Sequence, residues 1–198
     1  MKVSKTSLRG VLIIEPQVFK DQRGLFMETY HQRRYADCGI DAVFVQDNMS
    51  FSVKGILRGL HYQHPHAQAK LVQVIKGEIF DVAVDIRRGS PTFGQWFGIH
   101  LSGENGRQLF IPEGFAHGFC VLSDTAAVTY KCTDFYAPDD EGGILWSDPD
   151  LDINWPMMNP LLSSRDSGYP RLSDVSSERL PVYKERGREN YSAMTVAD

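Results

Sequence analysis

The sequence predicts an all-β sandwich or barrel. Short runs rich in Val, Ile, Phe and Tyr recur from about residue 43 to residue 146. Clusters of Gly, Pro, Asn and Ser separate them, as turns separate strands. Within the best-defined run, apolar and polar residues alternate with the two-residue period of a strand. Strands crowded at this spacing close into barrels or pack as paired sheets.

The elements follow in chain order. Residues 32–38 predict one short helix, which ends at Gly39, where glycine supplies a left-handed cap. Residues 71–86 are interrupted only by Lys76-Gly77-Glu78. Beyond that turn Phe80, Val82, Val84 and Ile86 alternate with Asp81, Ala83 and Asp85, which predicts a hairpin with one buried face. Further strands are expected at residues 94–101, 107–111, 118–122 and 126–135, each bounded by turn residues. Past Trp155-Pro156 the apolar pattern weakens, and residues 176–198 are polar and charged. A chain of 198 residues fits one domain better than two. A single domain over residues 1–185 is expected, with a polar C-terminal tail at 186–198 whose end frays.

Composition narrows the function. Hydrophobic residues make up 42% and charged residues 23%, as in ordinary globular proteins. Lys and Arg number 21 against 25 Asp and Glu, so the net charge of −4 gives no general attraction to nucleic acid or an anionic membrane. The N-terminal apolar run, Val11 to Ile14, is too short for a secretory signal, and nothing later approaches a membrane span. A cytoplasmic location is expected. Cys38, Cys120 and Cys132 are odd in number and lack C-x-x-C spacing, which suggests neither a disulfide scaffold nor a zinc knuckle. The sequons at Asn48 and Asn190 are accidents without a secretory signal.

Two segments concentrate chemistry: Arg58-Gly59-Leu60-His61-Tyr62-Gln63-His64-Pro65-His66, and Pro112-Glu113-Gly114-Phe115-Ala116-His117. The pair resembles the two motifs of the cupin superfamily, in which H-x-H, a glutamate four residues on and a later histidine bind a metal. His64, His66 and His117 fit, but Lys70 stands where the glutamate would be. A protonated lysine repels a divalent cation, so no metal is expected. His64 and His66 then read as loop histidines or substrate contacts, and Lys70 suits an anionic ligand or a developing oxyanion. Lys70 shares strand parity with Val72 and Val74, so an inward-facing ammonium would need a partner there.

Further segments recur in order around these: Asp21-Gln22-Arg23-Gly24, Gln46-Asp47-Asn48, Lys70-Leu71-Val72, the run Asp81 to Arg87, Tyr130-Lys131 and Ser163-Ser164-Arg165-Asp166. Together they closely resemble the dTDP-4-dehydrorhamnose 3,5-epimerase family over roughly residues 5–172. The resemblance implies a cupin-type jelly-roll β-barrel with a few short helices. It also implies inversion of C3 and C5 of dTDP-4-dehydro-6-deoxy-glucose, on the route to dTDP-rhamnose. The chemistry can be argued independently. Both centres flank the C4 ketone, so each C–H is acidified, and inversion needs a base on one face, an acid on the other and a stabilised enolate. No cofactor is expected, and the chain has no G-x-G-x-x-G fingerprint and no P-loop.

By this resemblance His61 is the base and Asp166 the carboxylate that orients it. Histidine suits the task because its pKa lies near neutrality and a carboxylate fixes its tautomer. Tyr130 is implied as the acid from the opposite face and Lys70 as the partner of the C4 oxygen. Arg23 and Arg58 match positions that hold the pyrophosphate. Phe19 and Tyr136 match the thymine sandwich, and Phe26, Glu28, Gln46, Asn48 and His117 match other pocket positions. The family further implies a homodimer with exchanged N-terminal strands, so Arg23 and Phe26 would act across the interface. One geometric conflict stands: in an ideal strand Arg58 and His61 have opposite parity, and Gly59 between them marks a bulge. The rival readings are an enzyme inverting only C3 or only C5, a metal-dependent cupin using His64, His66 and His117, and a non-catalytic sugar-nucleotide binding module.

Overall fold

Thirteen strands among the described residues build two facing antiparallel sheets and one separate hairpin. The structure is a computed structural model and describes residues 1–184; the expected tail at 186–198 lies outside the described residues. The strands are β1 (Lys2–Lys5), β2 (Leu12–Glu15), β3 (Val18–Asp21), β4 (Gly24–Met27), β5 (Gln46–Val53), β6 (Leu57–Gln63) and β7 (Lys70–Lys76). They continue with β8 (Glu78–Asp85), β9 (Trp96–Ser102), β10 (Gln108–Ile111), β11 (Phe115–Val121), β12 (Thr125–Cys132) and β13 (Glu141–Gly143). One sheet has the order β1-β2-β10-β7-β12-β5, the other β13-β6-β11-β8-β9, and β3 pairs only with β4. The jelly-roll expectation is met.

The helix α1 (Gln32–Asp37) forms where the sequence places it, with the His31 side chain accepting from the Arg34 amide as its N-cap. Short 3-10 turns at Pro138–Asp140, Asp166–Gly168, Leu172–Asp174 and Ser177–Arg179 complete the helical content of the described residues.

The hairpin expected around Gly77 is not one. β7 pairs with β10 and β12, whereas β8 pairs with β11 and β9. Gly77 is a corner that carries the chain from one sheet into the other. Its φ is +79°, and a Cβ there would stand 2.0 Å from the Thr125 carbonyl oxygen, so neither the conformation nor the space admits a side chain. One residue is too short for the two-residue loop that closes a hairpin.

The expectation of a single buried face on β8 also fails, because both faces are buried. Ile79 and Ala83 point into the interior with Val72 and Val74 of β7, Val128 of β12 and Phe119 of β11. Val82, Val84 and Ile86 face the other way, where the chain after β13 covers them with Ile144, Leu151, Trp155, Leu172 and Leu180. The weakly patterned C-terminal region is thus a wrap over the outer face of the five-stranded sheet. Each leucine it buries contributes roughly 1.5–3 kcal/mol of transfer free energy. The expected strand at 118–122 begins three residues earlier, at Phe115, which places His117 within β11.

Candidate active site

The site grows from a kink in β6. Leu57, Leu60 and Tyr62 pack outward in the cluster covered by the C-terminal wrap, so His61 faces the interior. Arg58 turns the same way, since its Nε donates to Ser52 Oγ on the facing sheet at 3.1 Å. The parity conflict is resolved by a register shift in the β6–β11 ladder, between His117 and Phe119. Gly59, with φ +130°, sits at this bulge, and a Cβ on it would come within 2.5 Å of Gly118 Cα.

His61 Nε2–H donates to Asp166 Oδ1 at 2.7 Å. Asp166 opens the turn Asp166–Gly168 and is only 5% exposed. Burial pushes its carboxyl pKa up, but hydrogen bonds from His61, Ser163 and the Gly59 amide, with the charge of His61, bring it below the usual carboxylate range. Asp166 is therefore an anion that can orient the imidazole and stabilise its protonated form. His117 lies directly across from His61 in the ladder and donates from Nε2 to Asp81 Oδ1 at 2.7 Å, with Asp81 fully buried.

The six-stranded sheet supplies the opposite wall. Lys70 and Cys132 are cross-strand partners on β7 and β12, and Tyr130 lies two residues before Cys132 on the same face. The Lys70 ammonium stands 5.8 Å from the centre of the Tyr130 ring. Burial lowers the Lys70 pKa, while Cys132, Asp81 and Glu141 pull it back toward the charged form. No carboxylate among the described residues forms an ion pair with it. A desolvated cation without a partner is an electrophile awaiting negative charge. The Tyr130 phenol is pushed up by burial and by Cys132, with Arg58 opposing, so it stays protonated at neutral pH. Gln46 and Asn48 line the same wall from β5: Gln46 donates to Asn48, which donates to Cys132 Sγ.

At the rim, the Tyr136 hydroxyl donates to Glu141 Oε2 at 2.5 Å, and its amide donates to Gln46 Oε1 at 2.9 Å. Arg165 pairs with Glu141 at 2.8 Å. The arrangement places a base with its carboxylate on one sheet and a phenol with an unpaired ammonium on the other. It can remove a proton from one face of a bound carbonyl compound and return one from the opposite face.

Comparison with known proteins decides the family. The family model described as dTDP-4-dehydrorhamnose 3,5-epimerase matches residues 5–174. The chain belongs to the dTDP-4-dehydrorhamnose 3,5-epimerase family. The enzyme of that name from Shigella flexneri is 60% identical over 177 residues, covering 88% of this chain and 98% of its own. The one from Methanothermobacter thermautotrophicus is 53% identical over 182 residues, covering 90% and 96%. The crystal structure of dTDP-6-deoxy-D-glucose-3,5-epimerase from Legionella pneumophila Philadelphia 1, in complex with dTDP-4-keto-L-rhamnose, superposes with a TM-score of 0.90. It is 52% identical and covers 92% of this chain and 98% of its own.

In this epimerase the fold brings together His61, Asp166, Arg58, His117, Lys70, Tyr130, Gln46, Asn48 and Tyr136, as described above. No hydrogen bond or ion pair among the described residues joins the N-terminal group to them. Arg23 pairs with Asp21 in the β3–β4 hairpin and Glu28 with Arg34 of α1. Phe19 and Phe26 are 55% and 71% exposed. His66 pairs with Asp140, and no group of three or more His, Cys, Asp or Glu among the described residues is placed to hold a metal ion. Sequence reasoning missed Asp81, Glu141 and Arg165. Asp81 carried a signal, since a carboxylate at an interior position of a strand demands a buried partner. Arg165 lay inside the Ser163–Asp166 segment but had no role of its own, and Glu141 carried no signal, because it is an ordinary charge until the rim assembles.

Proposed function

We propose that this epimerase inverts C3 and C5 of dTDP-4-dehydro-6-deoxy-glucose to give dTDP-4-dehydro-rhamnose, without a cofactor. The observation that carries the reading is the division of labour across the barrel, with the His61–Asp166 pair on one sheet and Tyr130 with Lys70 on the other. His61 takes the proton from the carbon beside the ketone. The C–H electron pair moves into the C4 carbonyl, and the Lys70 ammonium meets the enolate oxygen that forms. Tyr130 then gives its proton to the opposite face of the carbon, and both groups re-equilibrate with solvent. The sugar contacts His117, while Arg58 holds a phosphate oxygen and Gln46, Asn48 and Tyr136 bind around it. The ligand of the Legionella relative has the nucleotide and keto-sugar that this reading requires.

Arg23, Phe19, Phe26 and Glu28 reach the site from a second copy of the chain. Support comes from the absence of any hydrogen bond or ion pair between them and the dyad among the described residues, and from two exposed apolar surfaces. These are the β3–β4 hairpin with Phe19, Leu25 and Phe26, and the outer face of β5 with Met49, Phe51 and Val53, with Ile75 of β7 exposed one strand further on, beyond β12. Patches of this kind mark interfaces. A cytoplasmic location fits the three free thiols; no helix among the described residues is long and apolar enough to cross a membrane. The test is incubation with dTDP-4-dehydro-6-deoxy-glucose in deuterated water. Product of inverted configuration with deuterium at both C3 and C5 is expected. Label and inversion at one centre only would establish a mono-epimerase instead.

A further inference from the structure

We propose that Tyr169 is a positioning residue for the His61 imidazole, its ring filling the space that Gly143 leaves open beside that histidine. The proposal rests on His61 being the base. β13 pairs with β6 so that Gly143 stands directly opposite His61, and residues paired across strands project to the same face. A side chain at 143 would therefore stand beside the imidazole. The Tyr169 ring takes that place instead: a Cβ on Gly143 would lie 2.3 Å from the ring. The ring meets the imidazole edge-on, with centroids 5.8 Å apart and planes at 72°.

The segment carrying Tyr169 also carries Asp166. Tyr169 ends the turn Asp166–Gly168 and leaves it in extended backbone, φ −68° and ψ 147°, as the following Pro170 favours. The Pro170 carbonyl accepts from the Leu145 amide at 2.8 Å, which ties the segment to the chain just after β13. One short stretch thus supplies both the carboxylate at one edge of the imidazole and the wall on its flank. The Tyr169 hydroxyl is buried and makes no hydrogen bond of good geometry among the described residues, with the Arg165 guanidinium as the cation beside it. Burial and Glu141 push its pKa up to about 12 against the opposing pull of Arg165, so it remains a neutral, protonated phenol at working pH. Packing by the ring is what the position offers. Asp166 fixes one ring nitrogen, but a single hydrogen bond leaves the imidazole free to swing. A wall on the flank removes that freedom and keeps water from the His61–Asp166 hydrogen bond, which strengthens it.

The test is a double-mutant cycle with a conservative control. Tyr169→Phe keeps the ring and is expected to match the wild type. Tyr169→Ala is expected to lower kcat about 10- to 100-fold while KM for the dTDP-sugar and affinity for dTDP stay within about twofold. Gly143→Ala displaces the ring and should lower kcat similarly, yet the same change in the Tyr169→Ala background should add little, since the ring it would strike is gone. If Tyr169→Ala does not fold, Tyr169→Leu carries the same comparison. Unchanged kcat in Tyr169→Ala, an equal loss in Tyr169→Phe, a loss confined to KM, or additive effects of the two substitutions would each overturn the proposal. His61→Asn, assayed in parallel, separates the two levels: if it remains active the base assignment itself fails, whatever Tyr169 does.

Discussion

His61 donates a hydrogen bond from its Nε2–H to Asp166, and Nδ1 is left as the imidazole nitrogen able to accept a proton. The tautomer that binds the carboxylate is the one a base needs. Replacing His61 by Asn keeps the polar shape near Asp166 and removes the basic nitrogen. We expect kcat to fall at least 10²- to 10⁴-fold, the range for general base catalysis, with dTDP affinity unchanged by calorimetry. Turnover near the wild-type rate would reject the assignment.

Tyr130→Phe should separate proton removal from inversion. His61 can still take a proton and return one on its own face, whereas the opposite face has lost its donor. In deuterated water, NMR should find solvent deuterium in substrate of retained configuration and little inverted product. Inversion at the wild-type rate would make Tyr130 a packing residue, and loss of exchange as well would place the phenol in an earlier step.

Lys70 links stability to function. Burial lowers its pKa from 10.5, so the folded state binds this proton less tightly than the unfolded chain does. The penalty is present in full below the folded-state pKa and vanishes as pH rises past the unfolded value. Lys70→Met should therefore stabilise the protein at pH 7 by about 1 kcal/mol or more. That gain should shrink in melts at pH 10, while kcat/KM falls about 10²-fold or more through loss of the oxyanion partner. A destabilised variant at pH 7 would show that the ammonium is paired.

The parts of this molecule legible in its sequence are those fixed by local pattern or local chemistry. Helix α1 with its glycine stop, the alternation in β8 and the bulge at Gly59 all sit within a few residues of their cause. What was not legible depends on distant chain. The corner at Gly77 looks like a hairpin because two-residue alternation reports strands and not their partners. The second buried face of β8 exists only because Leu172 and Leu180, in a region without periodicity, fold back over it. Asp166 is surrounded by loop-forming residues, so its local pattern alone reads as a solvated aspartate; the family resemblance named it, and its place 2.7 Å from His61 is what gives it a partner.

Asp85 should report acid unfolding. It is fully buried, and although burial raises its pKa, hydrogen bonds from Arg87, Ser90 and Thr92 bring it below 3.8. A depressed carboxyl contributes stability that is present above the unfolded pKa and is lost as pH falls through the folded one. Asp85→Asn leaves Arg87 without its ion-pair partner and should cost about 2–4 kcal/mol at pH 7. Urea titrations at pH 7 and at pH 3 should show the gap between variant and wild type narrowing; a constant gap would mean that Asp85 acts through shape alone.

A complementation assay tests whether Arg23 serves the partner's site. In a two-fold dimer with the hairpin reaching across, each site combines His61 of one chain with Arg23 of the other. Arg23→Ala and His61→Asn homodimers should both have low activity. When the two are unfolded together in equal amounts and refolded, about half of the dimers are mixed. Each mixed dimer holds one site with both native residues and one with neither, so activity should recover to about a quarter of the wild type. If Arg23 acts within its own chain, every site in the mixture lacks one of the two residues and no activity returns. Size-exclusion chromatography of Phe51→Asp provides the matching physical measurement, because a charge on the outer face of β5 should shift the protein toward monomer and lower activity along with it. A monomeric wild type, or mixing without recovery, would leave Arg23 an exposed hairpin arginine paired to Asp21.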